Sequence, residues 1–265
     1  MEKVIEKLKK LTGCEHIKLL QRGNNAIYAA FYVVNAMGYT LRIPDQGGWF
    51  KYKDYPAKLG LRFEEYPTKD AMITQESFDG DKSKAYIVTQ PGGYFVQHDL
   101  KMVRSNTTFF ILDASGSIGN ADVQMSGADI VVGSFSEWKP VDLGHGGFFA
   151  TNNKEIWELA STMFEQFTID LEPSMVELLM RKLDRLPDRY SLFRRHCNKI
   201  KSDLKDFKIL YPESNGICVV VEFETEEEMK KIIEYCEANG YEYVKCPRYN
   251  KVNKDAISIE VKRMI

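Results

Sequence analysis

No apolar run in the 265-residue chain reaches the length of about 20 residues that a bilayer-spanning helix needs. The opening stretch, Met1 to Lys10, mixes charge with apolar spacing and lacks the unbroken apolar centre of a signal peptide. No membrane association is therefore expected, and cytoplasmic localisation is the default. The cysteines (Cys14, Cys197, Cys218, Cys236 and Cys246) are odd in number and form no C-x-x-C pair. That argues against a disulfide framework or a structural zinc site and for buried reduced thiols. The histidines (His16, His98, His145 and His196) are scattered without ligand spacing, so no metal site is expected. A net charge of -2 offers no basic field for a nucleic-acid backbone. Neither G-x-x-x-x-G-K-[ST] nor G-x-G-x-x-G occurs, which counts against an ordinary nucleotide-binding α/β protein.

Hydrophobic residues make up 44% of the chain and charged residues 28%, enough for a sizeable core under an ordinary polar surface. The most informative stretch is Ile111 to Thr151. An apolar strand ends in Asp113, and a second, Ile130 to Val132, runs into a Ser-rich turn (G-S-F-S-E-W-K) that delivers Lys139. A glycine pair and a third apolar run, G-G-F-F-A-T, follow. A carboxylate at one strand end and an amine after the next suit pyridoxal phosphate, whose aldehyde condenses with a lysine and whose ring nitrogen takes an acidic partner.

The rest of the chain supplies the frame. Val4, Ile5, Leu8 and Leu11 stand at helical spacing, and Gly13 ends that helix. A strand at Ile17 to Leu20 leads to R-G-N-N (Arg22 to Asn25) and an apolar helix from Ala26 to Met37. That turn reads either as a plain helix cap or as a phosphate site made of free amides. Tyr39 to Ile43 is a strand, followed by a loop that delivers Trp49, either a ring stacker or a packing anchor. Further strands fall at Leu61 to Tyr66, Ala85 to Thr89 and Phe109 to Leu112, with a helix over Asp99 to Ser105. Strands alternating with helices predict an α/β domain over residues 14–165: three layers, with a mainly parallel or mixed sheet flanked by helices. Ligands of such sheets sit at the carboxyl ends of strands. Residues 166–265 predict a small α+β domain. It comprises helices at Pro173 to Leu186 and Asp188 to Leu204, a strand at Ile217 to Phe223, a helix capped by Thr225, and strands at Tyr241 to Lys245 and Ile257 to Val261. The helix over residues 1–12 is a candidate to pack on it. Tyr94, Phe95, Phe148 and Phe149 serve either a subunit interface or the core.

In this order, the Gly-Asn turn, aromatic loop, D-x-x-x-x-x-G, S-F-S-E-W-K and G-G-F-F-A-T resemble the fold type I pyridoxal-phosphate enzymes, the aspartate aminotransferase superfamily. The closest flavour is that of the DegT/DnrJ sugar aminotransferases, with features shared with cysteine desulfurases. The resemblance covers roughly Ile17 to Thr151. It implies pyridoxal 5'-phosphate as cofactor, with Lys139 as the Schiff-base lysine and Asp113 as partner of the pyridine nitrogen. Ser134 and Ser136 would contact the phosphate, as would the turn of Gly23, Asn24, Asn25 and Ala26, and Trp49 would lie on the ring; Arg22 would add charge. It further implies an amine or amino-acid substrate, transamination and a homodimer. A lyase, desulfurase or decarboxylase on the same scaffold and a shortened non-catalytic relative remain alternatives. Three departures stand out. Gly116 occupies the position where many relatives carry Gln or His, Gly146 and Gly147 replace an expected arginine, and Arg248 and Arg263 are candidates by type alone for a substrate carboxylate.

Overall fold

A strongly apolar helix buried against a twisted sheet sets the architecture. The computed structural model of the chain describes residues 1–264. Its first part runs α1 (Glu2–Thr12), β1 (His16–Leu20), α2 (Gly23–Ala36), β2 (Thr40–Pro44), α3 (Lys51–Leu59), β3 (Phe63–Tyr66), β4 (Lys84–Thr89), α4 (Leu100–Asn106), β5 (Phe109–Asp113), α5 (Ala121–Gln124), β6 (Ile130–Ser134) and β7 (Gly147–Thr151). These strands form one sheet in the order β1-β7-β6-β5-β4-β2-β3. Strands β3, β2, β4, β5 and β6 are mutually parallel, while β7 is antiparallel to both of its neighbours. The sheet is therefore mixed, and one reversed strand places the start of β7 beside the end of β6.

Period-two alternation explains the three layers. In β5, Phe109 and Ile111 join the core under α2 and α6, whereas Phe110 and Leu112 join the core under α1 and α7. Helix α2 is apolar on nearly all sides because it is covered by the sheet, α3 and α6 (Lys154–Phe167). Helix α1 lies on the other sheet face against α5, β1 and α7 (Pro173–Asp184).

The remaining chain comprises α8 (Leu186–Asp203), β8 (Lys208–Ile209), β9 (Val219–Glu222), α9 (Glu226–Ala238), β10 (Tyr243–Cys246) and β11 (Ala256–Ile259). Its strands make an antiparallel sheet in the order β10-β11-β9-β8. The short β8 is absent from the sequence-based reading; two residues are too few for a period to show. The side chain of Thr225 caps α9 by accepting from the Glu228 amide at 3.2 Å, as its capping pattern predicts. The sheets meet where Tyr94 reaches across: its carbonyl accepts from the amides of Ile217 and Cys218 at 2.8 and 3.0 Å. A Cβ on Gly216 would lie 2.5 Å from the Phe95 backbone, so glycine is what permits this approach. Tyr94, Phe95, Phe148 and Phe149 are all buried within the chain, so they pack inside it. All the cysteines are buried and unpaired. Among the described residues no helix is long and apolar enough to cross a membrane.

One buried group couples this frame to pH. His98 is 8% exposed and its Nδ1 accepts from the Ile73 amide at 3.3 Å. Burial pushes the imidazole down to about 4. Below an unfolded value of about 6.5, the unfolded chain takes up a proton that the folded chain refuses until about 4. Stability is therefore lost as pH falls through that window, by up to about 3 kcal/mol. The urea midpoint is expected to drop between pH 6.5 and 4, and His98→Gln is expected to flatten that drop. An equal slope in both proteins would remove His98 as the cause.

Candidate active site

The carboxyl ends of β4, β5 and β6 open toward one edge of the sheet, and β7 begins at the same edge. Thr89, Asp113 and Ser134 end those three strands. Asp113 is 3% exposed, and each of its carboxylate oxygens accepts one hydrogen bond: Oδ2 from the Tyr52 hydroxyl at 2.6 Å and Oδ1 from the Ser115 amide at 3.0 Å. Tyr52 comes from α3, and its hydroxyl also lies 2.9 Å from that of Thr89. Burial, then the neighbouring Asp113 charge, raises Tyr52 well above the ordinary phenol range, so it stays a hydrogen-bond donor at physiological pH.

The loop between β6 and β7 presents Lys139. Its base is closed by the Leu143 amide donating to the Phe135 carbonyl at 2.8 Å, and Asp142 pins its tip by accepting from the amides of Trp138 and Gly144. The Phe135 ring anchors it in the core beside Phe148. Lys139 Nζ donates to the Tyr94 hydroxyl at 2.8 Å. It has no ion pair among the described residues, and desolvation lowers its pKa despite the opposing effect of Asp113. A lysine in that state supplies a neutral amine more readily than one at the surface.

The third component is the start of α2. A Cβ on Gly23 would lie 2.5 Å from Ser134 Cβ, and one on Gly147 would lie 2.4 Å from the Gly23 amide nitrogen. The glycines thus let the helix start, the end of β6 and the start of β7 converge. The missing arginine has the same physical reason: at Gly147 a side chain has no room. Ser134 and Ser136 face each other with hydroxyls 2.9 Å apart. Trp49 Nε1 donates to Asn24 Oδ1 at 2.9 Å, which fixes the indole to the α2 turn, and the ring centroid lies 5.8 Å from Lys139 Nζ.

These groups surround a cavity of about 180 Å³ whose lining includes Gly23, Asn24, Trp49, Asp113, Ser134, Ser136 and Lys139, with Arg22 beside them. The sequence-predicted residues Asn25 and Ala26 lie outside that lining. Their amides donate to the Arg22 carbonyl at 3.0 and 3.4 Å, and Ala26 is a buried residue of α2 in the core against the sheet. Sequence reasoning misses Tyr52 and Tyr94 as site residues. Tyr94 also accounts for Gly116, where a Cβ would sit 2.9 Å from the Tyr94 ring. A positive φ of 69° at Tyr94 marks the unusual backbone that aims this ring inward.

The architecture has close counterparts among solved structures. The chain is similar to a DegT DnrJ EryC1 StrS aminotransferase from Brucella abortus, at 18% identity and a TM-score of 0.72, over 98% of this chain and 84% of that one. It is similar to 3-amino-5-hydroxybenzoic acid synthase, at 12% identity and a TM-score of 0.72, over 98% and 85% of the two chains. It is also similar to NtdA from Bacillus subtilis with bound cofactor PMP, at 13% identity and a TM-score of 0.74, over 98% and 72%. This is the type I fold of pyridoxal-phosphate enzymes. At these identities the likeness is one of fold. Residues 187–265 match the MJ1341 family C-terminal domain, a stretch that takes in the antiparallel sheet and nearly all of α8. No curated protein sequence matches the chain.

Proposed function

We propose that this chain is a pyridoxal-phosphate-dependent enzyme that transfers an amino group between small molecules. The observation that carries the reading is Lys139, an amine with a lowered pKa that shares one cavity with the strand-end carboxylate of Asp113. The residues fit the cofactor. The phosphate would meet the helix start at Gly23 and Asn24, brought against Ser134 so closely that a Cβ has no place, together with the Ser134 and Ser136 hydroxyls. The ring would lie by Trp49, with its nitrogen toward Asp113.

When bound, the cofactor supplies an aldehyde that captures amines and a ring that accepts electrons. The protein's residues do the rest. Asp113, held by Tyr52 and Ser115, keeps a proton at the pyridine nitrogen. Lys139 would hold the cofactor through its amine and would move a proton at the substrate carbon. Tyr94 orients the Lys139 amine through its hydroxyl.

Among other reactions on the scaffold, a desulfurase is disfavoured. Its nucleophile would be an exposed, activated thiolate, whereas burial pushes Cys14 up to about 11, Cys197 to about 12 and Cys236 to about 11. The reading includes a homodimer. Phe50 and Trp138 are exposed at the cavity mouth, an apolar rim of the kind a second subunit covers.

The test is reductive trapping. Pyridoxal phosphate is added, the adduct is reduced with borohydride, and the labelled peptide is mapped. The expected label is on Lys139. No label, or a label on Lys251 or Lys262 instead, would refute the assignment. An amino-donor panel then separates transfer, which leaves pyridoxamine phosphate, from elimination, which releases ammonia without it.

A further inference from the structure

A cavity of about 410 Å³ opens where α8 and the loop before β9 meet the chain that follows β4 and β5. No residue of its lining belongs to the Lys139 cavity or to the larger one beside it, which Lys251 and Lys262 line. We propose that it is an effector site for a small hydroxylated oxyanion, a phosphorylated or carboxylated polyol. Lys201 and Arg194 hold the oxyanion, and the side-chain amides of Asn120, Asn198 and Asn215 take the hydroxyls. The binding site stands by itself; its effect on Lys139 rests on the function proposed above.

Unmet hydrogen-bonding capacity carries the argument. Lys201 is half-buried, and its Nζ donates to the Ser214 carbonyl at 2.7 Å. An ammonium has three donors, and this one has no carboxylate partner among the described residues. Desolvation lowers its pKa, the mark of a cation short of counter-charge. Arg194, on the same helix, also makes no ion pair among the described residues. Asp122 lines the cavity too, but its oxygens are taken: Oδ2 accepts from Gln90 Nε2 at 2.6 Å and Oδ1 from the Val123 amide at 3.0 Å. It pairs with neither cation. The side-chain amides of Asn120, Asn198 and Asn215 carry no hydrogen bond among the described residues. Free cations beside free amides suit an oxyanion with hydroxyls on its skeleton, and Tyr190 and Phe193 give that skeleton an apolar side. The volume lies within the range of small-molecule sites.

The walls make the occupant an effector. On one side the Gln90 side chain ties His98 to Asp122: Nε2 donates to the His98 carbonyl at 3.3 Å as well as to Asp122, while Oε1 accepts from the His98 amide at 3.0 Å. On the other, Lys201 fixes α8 to the loop before β9 through the Ser214 carbonyl. Two hydrogen bonds join these walls. The Gln97 amide donates to the Ser214 hydroxyl at 2.7 Å, and the Ile217 amide donates to the Tyr94 carbonyl at 2.8 Å. Tyr94 is the residue whose hydroxyl accepts from the Lys139 amine. A ligand across the cleft holds both walls at the spacing that keeps Tyr94 in place, so its presence is felt at Lys139 without contact.

The test is calorimetric titration of the full chain, with and without pyridoxal phosphate, by glycerol 3-phosphate and by glycerate at constant ionic strength. Saturable binding of at least one is expected, and the one that binds identifies the charged group. Lys201→Met and Arg194→Gln are each expected to weaken it about tenfold. Arg194 is exposed, so its replacement tests the site without disturbing the fold. Ser134→Ala, in the Lys139 cavity, is expected to leave binding in place. The bound ligand is expected to tighten pyridoxal phosphate about fivefold, a shift that Arg194→Gln abolishes. No saturable binding overturns the proposal. So does binding that ignores both Lys201→Met and Arg194→Gln, or that disappears with Ser134→Ala. Arg194-dependent binding that leaves the affinity for pyridoxal phosphate unchanged overturns the effector role. The same binding in a protein that pyridoxal phosphate does not label would defeat the enzyme reading alone.

Discussion

Lys139→Ala is expected to slow amino-group transfer about ten-thousandfold, the upper range for loss of a positioned acid-base group. The expectation rests on what separates Lys139 from the other lysines of the site. Lys251 is held by Glu260 at 2.6 Å, and its pKa is raised by the buried charges around it despite desolvation. It is locked as an ammonium and cannot attack an aldehyde. Lys262 is tied to the same carboxylate at 2.8 Å. Lys139 has the Tyr94 hydroxyl as its partner, and desolvation shifts it toward the free amine. Single-turnover rates with an amino donor check the prediction. Retention of more than about a tenth of the wild-type rate would move the chemistry to another group.

The second large effect is expected at Asp113. Asp113→Asn keeps the size of the side chain and a carbonyl oxygen for the Ser115 amide, so the strand end is preserved. The negative charge is lost. With it would go the group proposed to keep a proton at the pyridine nitrogen, and the transfer rate is expected to fall at least about a hundredfold. Tyr52→Phe makes a graded control. It removes one donor to the carboxylate and is expected to cost about tenfold, because the charge remains while its orientation loosens. Rates read beside cofactor affinity from absorbance titration distinguish lost binding from lost chemistry. Equal rates for Asp113→Asn and wild type would sever Asp113 from the reaction.

Asp113 and Lys139 are legible in the sequence because each follows a short apolar run, aromatic and aliphatic before Asp113 and β-branched before the loop of Lys139, that reads as a strand. The topology rule for ligand sites then points to the residues at those ends. The Gly-Asn turn is legible for a similar reason, since glycine and asparagine before an apolar helix announce a helix start. The extent of that turn is less so. Which amides remain free depends on the Arg22 carbonyl, which takes those of Asn25 and Ala26. Tyr52 and Tyr94 are not legible. Tyr52 lies on a helix remote from Asp113 in the chain, and only the placement of β4 between β2 and β5 brings the two together. Tyr94 reads locally as one aromatic among several, and its inward aim comes from a backbone conformation that no period encodes. The cations of the antiparallel sheet are hidden in the same way. Lys251 and Lys262 carry no local signal in the sequence; only the folded chain brings both against the buried Glu260, which follows β11.

The reversed strand β7 also has a consequence for how the chain is made. Residue 16 in β1 pairs with residue 151 in β7, so the earliest strand of the larger sheet receives its partner last among the strands of that sheet. A ribosome-bound chain that stops before Gly147 leaves β1 unpaired and α2, apolar on nearly every side, without β7 and α6 above it. Such a nascent chain presents the surface that holdase chaperones bind. Once Phe167 has emerged, both partners are in place, and the larger sheet can close before the segment that matches the MJ1341 family C-terminal domain has left the ribosome.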